Sequence, residues 1–219
     1  LQKLSDPSCR APLALALGND DFRPGNRSQL KTTSFRRFVT MANAVVVQTA
    51  MSFDGFMAGP EHEMDWVFDY AAADSLPELY EATGAMLSGR NSYDVGRRDT
   101  GKPSGEPYGG AWSGPMFTLT HDPPPDDDAT TFLSGDIGDA VETAAQAAGD
   151  RNLVLLGADV SMQALDRGLV DELQILVLPV LLGDGIPLFA TRRHERLELD
   201  PLSVRQSGQA TLLHYRVKR

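Results

Sequence analysis

The chain has 219 residues, 42% of them hydrophobic, and its 30 acidic against 20 basic side chains give a formal charge of -10. That length suits one domain, with or without a tail, and the acidic balance disfavours a nucleic-acid partner, whose phosphates are gripped by clustered Lys and Arg. No apolar run reaches the roughly 18 to 20 residues of a membrane span, and a lone cysteine, Cys9, excludes an intramolecular disulfide and a thiolate metal cluster and fits a reducing cytoplasm, so a small-molecule ligand is the expectation.

Residues 1–40 are rich in Arg and Ser without sustained apolar periodicity. They read as a largely disordered extension preceding a natural start at Met41, and residues 41–219 as one domain. The first strand is "AVVVQTAMS" (44–52), nearly continuous in apolar residues as a strand buried on both faces is. "DSLPELYEAT" (74–83) predicts a helix capped by Asp74, "GAMLSGR" (84–90) a second strand, and "NSYDVGR" a helical turn. The Gly- and Pro-dense stretch 101–115 predicts loop, "MFTLTH" (116–121) a buried strand, and "DPPPDDD" a solvated acidic connection. An Ala-rich helix over 135–149 is followed by the strand "NLVLLG", the helix "VSMQALDRG" and the long apolar strand "LVDELQILVLPVLL", interrupted by a proline. "LSVRQSG" and "ATLLHYRVK" close the chain as an antiparallel hairpin. The alternation of strand and helix implies a three-layer α/β/α fold with a mostly parallel central sheet and that hairpin at its edge.

In such sheets, ligands sit beyond the carboxyl ends of the strands, where helix N-termini offer unpaired N–H groups. Three places qualify. "LSGRNSY" offers Gly89, Arg90 and Ser92 at a helix start, and is equally readable as a turn with a surface ion pair. "TLTHD" offers Thr120 and His121, or a strand end capped by Asp122. Gly157, Ala158, Asp159 and Ser161 straddle a strand-to-helix turn, with Asp159 more natural as a cap than as a phosphate neighbour. Neither GxGxxG nor GxxxxGK[ST] is present, which counts against a Rossmann dinucleotide site and a P-loop. The pattern GxSxG is absent too. Glu61, His62, Glu63 and Asp65 gather in "EHEMDW" without the spacing of a metal site, so no metal is expected. Trp66 and Phe68, just beyond, either wall a pocket for a flat ring or fill the core.

In order, "AMSFDGFMAGP", "MLSGRNSYDVG" and "RGLVDELQILVLPVLLGDGIPLF" resemble signatures of the dihydrofolate reductase-like superfamily, and in particular the reductase domain of the bifunctional riboflavin-biosynthesis deaminase-reductases. The resemblance runs from Val45 to the end. It implies a twisted sheet with NADPH across its carboxyl edge and a small heterocycle, of pyrimidine or pteridine kind, beside the nicotinamide. By position, Ala50, Met57 and Ala58 would border the nicotinamide, and Gly89, Arg90 and Ser92 would hold the 2′-phosphoribose with Thr120 and His121 alongside. Gly157, Ala158, Val160 and Ser161 would receive the pyrophosphate. Asp54, Asp65 and Glu172 are the candidate catalytic carboxylates, and Trp66 and Phe68 the candidate substrate contacts. The chain departs from the family at Leu156-Gly157, where Gly-Gly is common. It also carries no zinc-deaminase signature, and Asp74 matches the pteridine-binding carboxylate poorly, which argues against folate. A homodimer is also implied. The alternative is a dimeric protein that keeps the nucleotide pocket without turnover.

Overall fold

Val45–Ser52 forms β1, the axis of the molecule. A computed structural model describes residues 43–70, 76–124, 130–189 and 196–219. The expectations for residues 1–40, Met41, Cys9, the cap by Asp74 and most of the acidic run after Pro124 lie outside them. Phe56–Ala58 (β2) follows β1, then a 3-10 turn at Asp65–Asp69, the short helix Pro77–Glu81 (α1), Thr83–Gly89 (β3) and Arg90–Arg98 (α2). Met116–Leu119 (β4), Thr131–Leu133 (β5), Ile137–Ala148 (α3), Asn152–Leu156 (β6) and Ala158–Asp166 (α4) come next. The chain ends with Glu172–Leu178 (β7), Ile186–Pro187 (β8), Leu199–Ser207 (β9) and Ala210–Val217 (β10).

Eight strands make one sheet in the order β5-β4-β3-β6-β1-β7-β10-β9, and β2 pairs with β8 in a second, two-stranded one. Every pairing from β5 to β7 is parallel, and β10 runs antiparallel to both β7 and β9. This is the α/β architecture with an antiparallel C-terminal hairpin that the alternation of elements implies.

Local chemistry moved several boundaries. The helix expected over 74–83 is reduced to Pro77–Glu81, because Pro77 opens it and Thr83 already belongs to the sheet, where the Ala82 carbonyl accepts from the Asn152 N–H at 2.8 Å. Arg90 opens α2 rather than ending β3. The long strand expected through Leu182 stops at Leu178, before Pro179, which has no N–H to give a ladder. Within the stretch expected to be loop, 3-10 turns form at Pro103–Gly105 and Pro107–Gly110. By contrast, α3 stays within two residues of its expected span and is opened by Asp136, whose carboxylate accepts from the Gly138 N–H at 2.8 Å.

The two faces of the sheet are packed differently. On one, Val45, Val47, Ala85, Leu87, Leu153 and Leu155 meet Ala140, Val141, Ala144 and Ala145 of α3 and Val160, Ala164 and Leu165 of α4 in one buried cluster. The small alanines of α3 let its backbone lie close to the strands, and the residues named on this side are all buried. Strand alternation sends Gln48, Met86, Ser88, Thr118 and Gln174 to the opposite face. That face is roofed only in part, by α2 and by short turns, and keeps a cavity.

Candidate functional site

The cavity measures about 860 Å³ and runs along the second face from the strands' carboxyl ends to the middle of the sheet. At its upper end, three connections meet. Gly89, Arg90 and Ser92 from the β3–α2 junction, Thr120 and His121 after β4, and Gly157, Ala158 and Val160 from the β6–α4 junction all line it. Gly157 holds φ +91°, and a Cβ there would stand 2.6 Å from Ser92 Oγ, so the turn and α2 touch only because the residue is glycine. A Cβ on Gly89 would stand 3.3 Å from Val160 Cγ2. Ala50, Met57 and Ala58 line the same space from β1 and β2. Ser161 sits just behind, 2% exposed, with its hydroxyl unpartnered and its N–H donating to the Gly157 carbonyl at 3.1 Å.

Arg90 stands at the rim. Its Nε donates to both Asp94 oxygens, at 2.8 and 3.0 Å, and its Nη1 to the Asp122 carbonyl, and the Asp94 contact raises its pKa further. The ion-pair reading of this motif and the cavity-lining one therefore hold together. Thr120 Oγ1 accepts from the Asp122 N–H at 3.2 Å, so the threonine caps the aspartate rather than the reverse.

The candidate carboxylates are dispersed. Asp54 lies outside the cavity lining: its carboxylate accepts from Ser52 Oγ at 2.6 Å, Gly183 N at 2.8 Å and Leu182 N at 3.2 Å, tying the β1–β2 connection to the segment after β7. Those donors, Ser52 first, lower its pKa, opposite to the shift a proton donor needs. Asp65 is exposed and reaches Lys102 only at 4.0 Å, also away from the cavity. Glu172 is largely buried and meets His214 Nε2 at 2.7 Å; that nitrogen stands 3.4 Å from the amide of Gln174, which lines the cavity. Glu172 thus connects to the cavity wall through one intervening residue. Phe68 lines the cavity, whereas Trp66 packs into a separate cluster with Val67, Leu178 and Ala210 and donates from Nε1 to the Glu63 carbonyl at 3.2 Å.

The loop around Glu61 and His62 is held as structure. Arg98 donates to the carbonyls of Glu61 at 3.0 Å and His62 at 3.3 Å, and the Glu63 carboxylate accepts from the Glu61 N–H at 2.9 Å. Among the described residues, no group of three His, Cys, Asp or Glu side chains is placed to hold a metal ion, and no helix is long and apolar enough to cross a membrane.

Sequence reasoning passed over the polar floor of the cavity. Gln48 is only 6% exposed in the middle of β1, beside Gln174 of β7, and Tyr108 reaches across to the Gln48 amide and to Thr83 Oγ1, at 2.7 Å from the latter. Ser88 and Thr118 continue the row on β3 and β4, with hydroxyls 3.5 Å apart. Burial pushes the Tyr108 phenol up to about 12, so it is a neutral donor and acceptor at any ordinary pH. The signal was legible as single polar residues inside apolar strands, "VVVQTAMS" and "ELQILVL". Tyr108 carried none, since it comes from a Gly/Pro-rich segment and holds φ +50°.

Comparison with known proteins converges on the same architecture. Residues 118–213 match the family model of the RibD C-terminal domain. The uncharacterized protein YwjB of Bacillus subtilis is 26% identical over 178 residues, which is 80% of this chain and 98% of YwjB. A crystal structure from Shewanella sp. PV-4, described as a candidate riboflavin biosynthesis protein, superposes with a TM-score of 0.65 at 26% identity, covering 80% of this chain and 99% of that one. Dihydrofolate reductase from Enterococcus faecalis, in complex with NADP(H) and RAB-propyl, superposes with a TM-score of 0.53 at 12% identity, over 82% of this chain and 99% of that one. The chain therefore has the dihydrofolate reductase-like fold and resembles the reductase domain of the riboflavin-biosynthesis deaminase-reductases, whose family model it matches over residues 118–213.

Proposed function

We propose that this protein is an NADPH-dependent oxidoreductase that reduces a small heterocyclic substrate of pyrimidine or pteridine kind. The observation that carries the proposal is the continuity of the cavity: it joins three strand-end connections suited to a phosphorylated coenzyme with a polar sheet floor suited to a flat ring. The residues present fit the coenzyme. Gly157 and the first turn of α4 offer backbone N–H groups and the positive end of a helix, and Ser161 keeps a buried hydroxyl without a partner. Gly157, Ala158, Val160 and Ser161 would hold the pyrophosphate, while Arg90 and Ser92, with Gly89, Thr120 and His121, would hold the 2′-phosphoribose. Ala50, Met57 and Ala58 would border the nicotinamide. When bound, the coenzyme supplies a hydride.

The chain's own contribution is positioning, holding coenzyme and substrate side by side in one cavity. Of the candidate carboxylates, Glu172 is the one whose hydrogen bonds lead to the cavity: it pairs with His214 beside Gln174, and that carboxylate–imidazole pair is the proposed source of the proton, delivered by an ordered water. Asp54 and Asp65 serve the same reading only by shaping the neighbouring loops. The homodimer stays part of the proposal, but on different ground: β7 is flanked by β1 and β10, so its apolar residues are explained inside the sheet, while Phe53, Leu181 and Val204 lie 73%, 70% and 58% exposed. Light scattering that returns a monomer would remove it.

To test the function, the purified chain is titrated with NADPH, followed by tryptophan fluorescence, and then assayed for loss of reduced-nicotinamide absorbance against a panel of pyrimidines and pteridines. Binding with oxidation is the expected result. Binding without oxidation of any member supports a non-catalytic nucleotide-binding protein, and absence of binding refutes both readings. Arg90→Ala should weaken NADPH about tenfold or more with little effect on NADH, as loss of a charged contact to the 2′-phosphate requires; equal losses would refute the assignment.

A further inference from the structure

Helix electrostatics make Arg90 an unexpected residue where it stands. It opens α2 behind Gly89, in a first turn that holds no acidic side chain, so the positive end of the helix meets a positive guanidinium. Asp94 follows one turn later, and an i,i+4 pair with the cation first supports a helix less than the reverse order does. The stability of α2 therefore gives little account of a pair held at 2.8 Å on the rim of the cavity.

What the pair does fix is how the guanidinium lies. Of its five N–H groups, Nε–H meets both Asp94 oxygens, at 2.8 and 3.0 Å, and one on Nη1 goes to the Asp122 carbonyl. A carboxylate commonly takes two neighbouring nitrogens as a fork. Here it is centred on Nε, and Nη2 donates to no partner among the described residues. The Tyr93 ring, its centroid 5.9 Å from Arg90 Cζ, covers one face, and Phe132 of β5 braces that ring edge-on at 5.3 Å. Contacts on two edges and one face thus set the plane of a side chain that is 38% exposed, and they leave N–H groups over.

We propose that Asp94 is a positioning residue: it holds the Arg90 guanidinium so that its remaining N–H groups meet a phosphate on the ribose, and it thereby sets the preference for a 2′-phosphorylated nucleotide over one without that group. This inference rests on the coenzyme reading of the cavity and deepens it. Two effects oppose each other. The carboxylate repels an incoming phosphate, whereas it orders a long side chain before binding and so removes that entropy loss from the binding step. On an exposed rim, water and salt screen the repulsion between charges set apart by the width of a guanidinium, but they do nothing to the rotamer entropy of arginine. Ordering wins, and loss of Asp94 weakens phosphate recognition.

The experiment uses the full chain and two probes, adenosine 2′,5′-bisphosphate and adenosine 5′-monophosphate, with dissociation constants measured by calorimetry. Wild type should bind the bisphosphate about tenfold or more tightly than the monophosphate. Asp94→Ala should lower that ratio about three- to tenfold while keeping the monophosphate affinity within about twofold, a combination that general damage to α2 would not give. Asp94→Glu, which keeps the charge and the acceptor oxygens, should restore most of the ratio. Asp94 is 52% exposed, and melting curves check that both variants fold. An unchanged ratio in Asp94→Ala overturns the inference, as does a larger one, in which repulsion outweighs ordering, or an Asp94→Glu ratio as low as that of Asp94→Ala. Arg90→Ala separates this inference from the reading beneath it. A wild type that binds neither probe or does not distinguish them, or an Arg90→Ala that keeps the ratio, strikes at the coenzyme reading and takes the inference with it. A ratio lost in Arg90→Ala but kept in Asp94→Ala strikes at Asp94 alone.

Discussion

The two faces of the same sheet obey opposite rules. Where α3 and α4 lie, the strand residues are aliphatic, fully covered, and meet a helix built of alanine, so burial is complete and the contact is stability alone. Where α2 and the short turns lie, the next residue along each strand is as deeply set but polar at Gln48, Ser88 and Thr118, and the roof stands off to leave a cavity of about 860 Å³. Strand alternation puts both on the same central strands, one residue out of step. The molecule separates what holds it together from what it can bind by the pleat of a strand, with no second domain required.

The largest test of that separation compares truncations on the two sides. Leu155→Ala on the closed face should cost about 2–5 kcal/mol in urea denaturation, because it opens a void that cannot collapse. Leu176→Ala, which faces space already open, should cost about 1–2 kcal/mol, close to the transfer of the lost carbons. Equal losses would mean that the cavity is closed in solution and would break the comparison.

A smaller effect is expected where the faces meet the strand ends. Gly157→Ala forces a side chain into φ +91° and against Ser92, and should cost about 1–3 kcal/mol while weakening NADPH. Adding Ser92→Ala removes the contact but not the backbone strain, so thermal melts of the double variant should recover only part of the loss. Full recovery would show that the clash alone mattered.

The gentlest test concerns the edge of the cavity wall, where Asp99 is buried against Arg98 and Lys102. Its carboxyl is held down to about 2, chiefly by the Arg98 hydrogen bonds, against an ordinary 3.8. A carboxylate with a depressed native pKa stabilises fully above its unfolded value and loses that contribution as pH falls through the native one. The melting temperature of Asp99→Asn should therefore lie below wild type at pH 7, and the gap should close as pH drops from about 4 to about 2. A gap independent of pH would assign the effect to packing.

Much of this was readable beforehand. Continuous apolar runs announced the buried parallel strands, an Ala-rich periodic stretch announced α3, and the three strand-end connections that here line one cavity were named, two of them at glycines. What misled was local strength taken without context. The run from Leu169 to Leu182 read as a long strand interrupted by its proline, but Pro179 ends the ladder outright, and Asp54 and Asp65 read as candidate proton donors, although one accepts loop hydrogen bonds and the other is exposed outside the cavity lining.

The amino-acid order by itself determined the element types, the sheet's mixed direction and the positions of the strand ends that line the cavity, because those follow from periodicity, glycine and proline, which act within a few residues. The tertiary structure alone decided that Gln48, Tyr108, Thr83 and Gln174 share one floor, since they come from four separated segments and meet only through strand register and a reach across the sheet face. Hydrogen-bond partnership is a property of distance in space, and residues 60 positions apart acquire it only when the chain has folded.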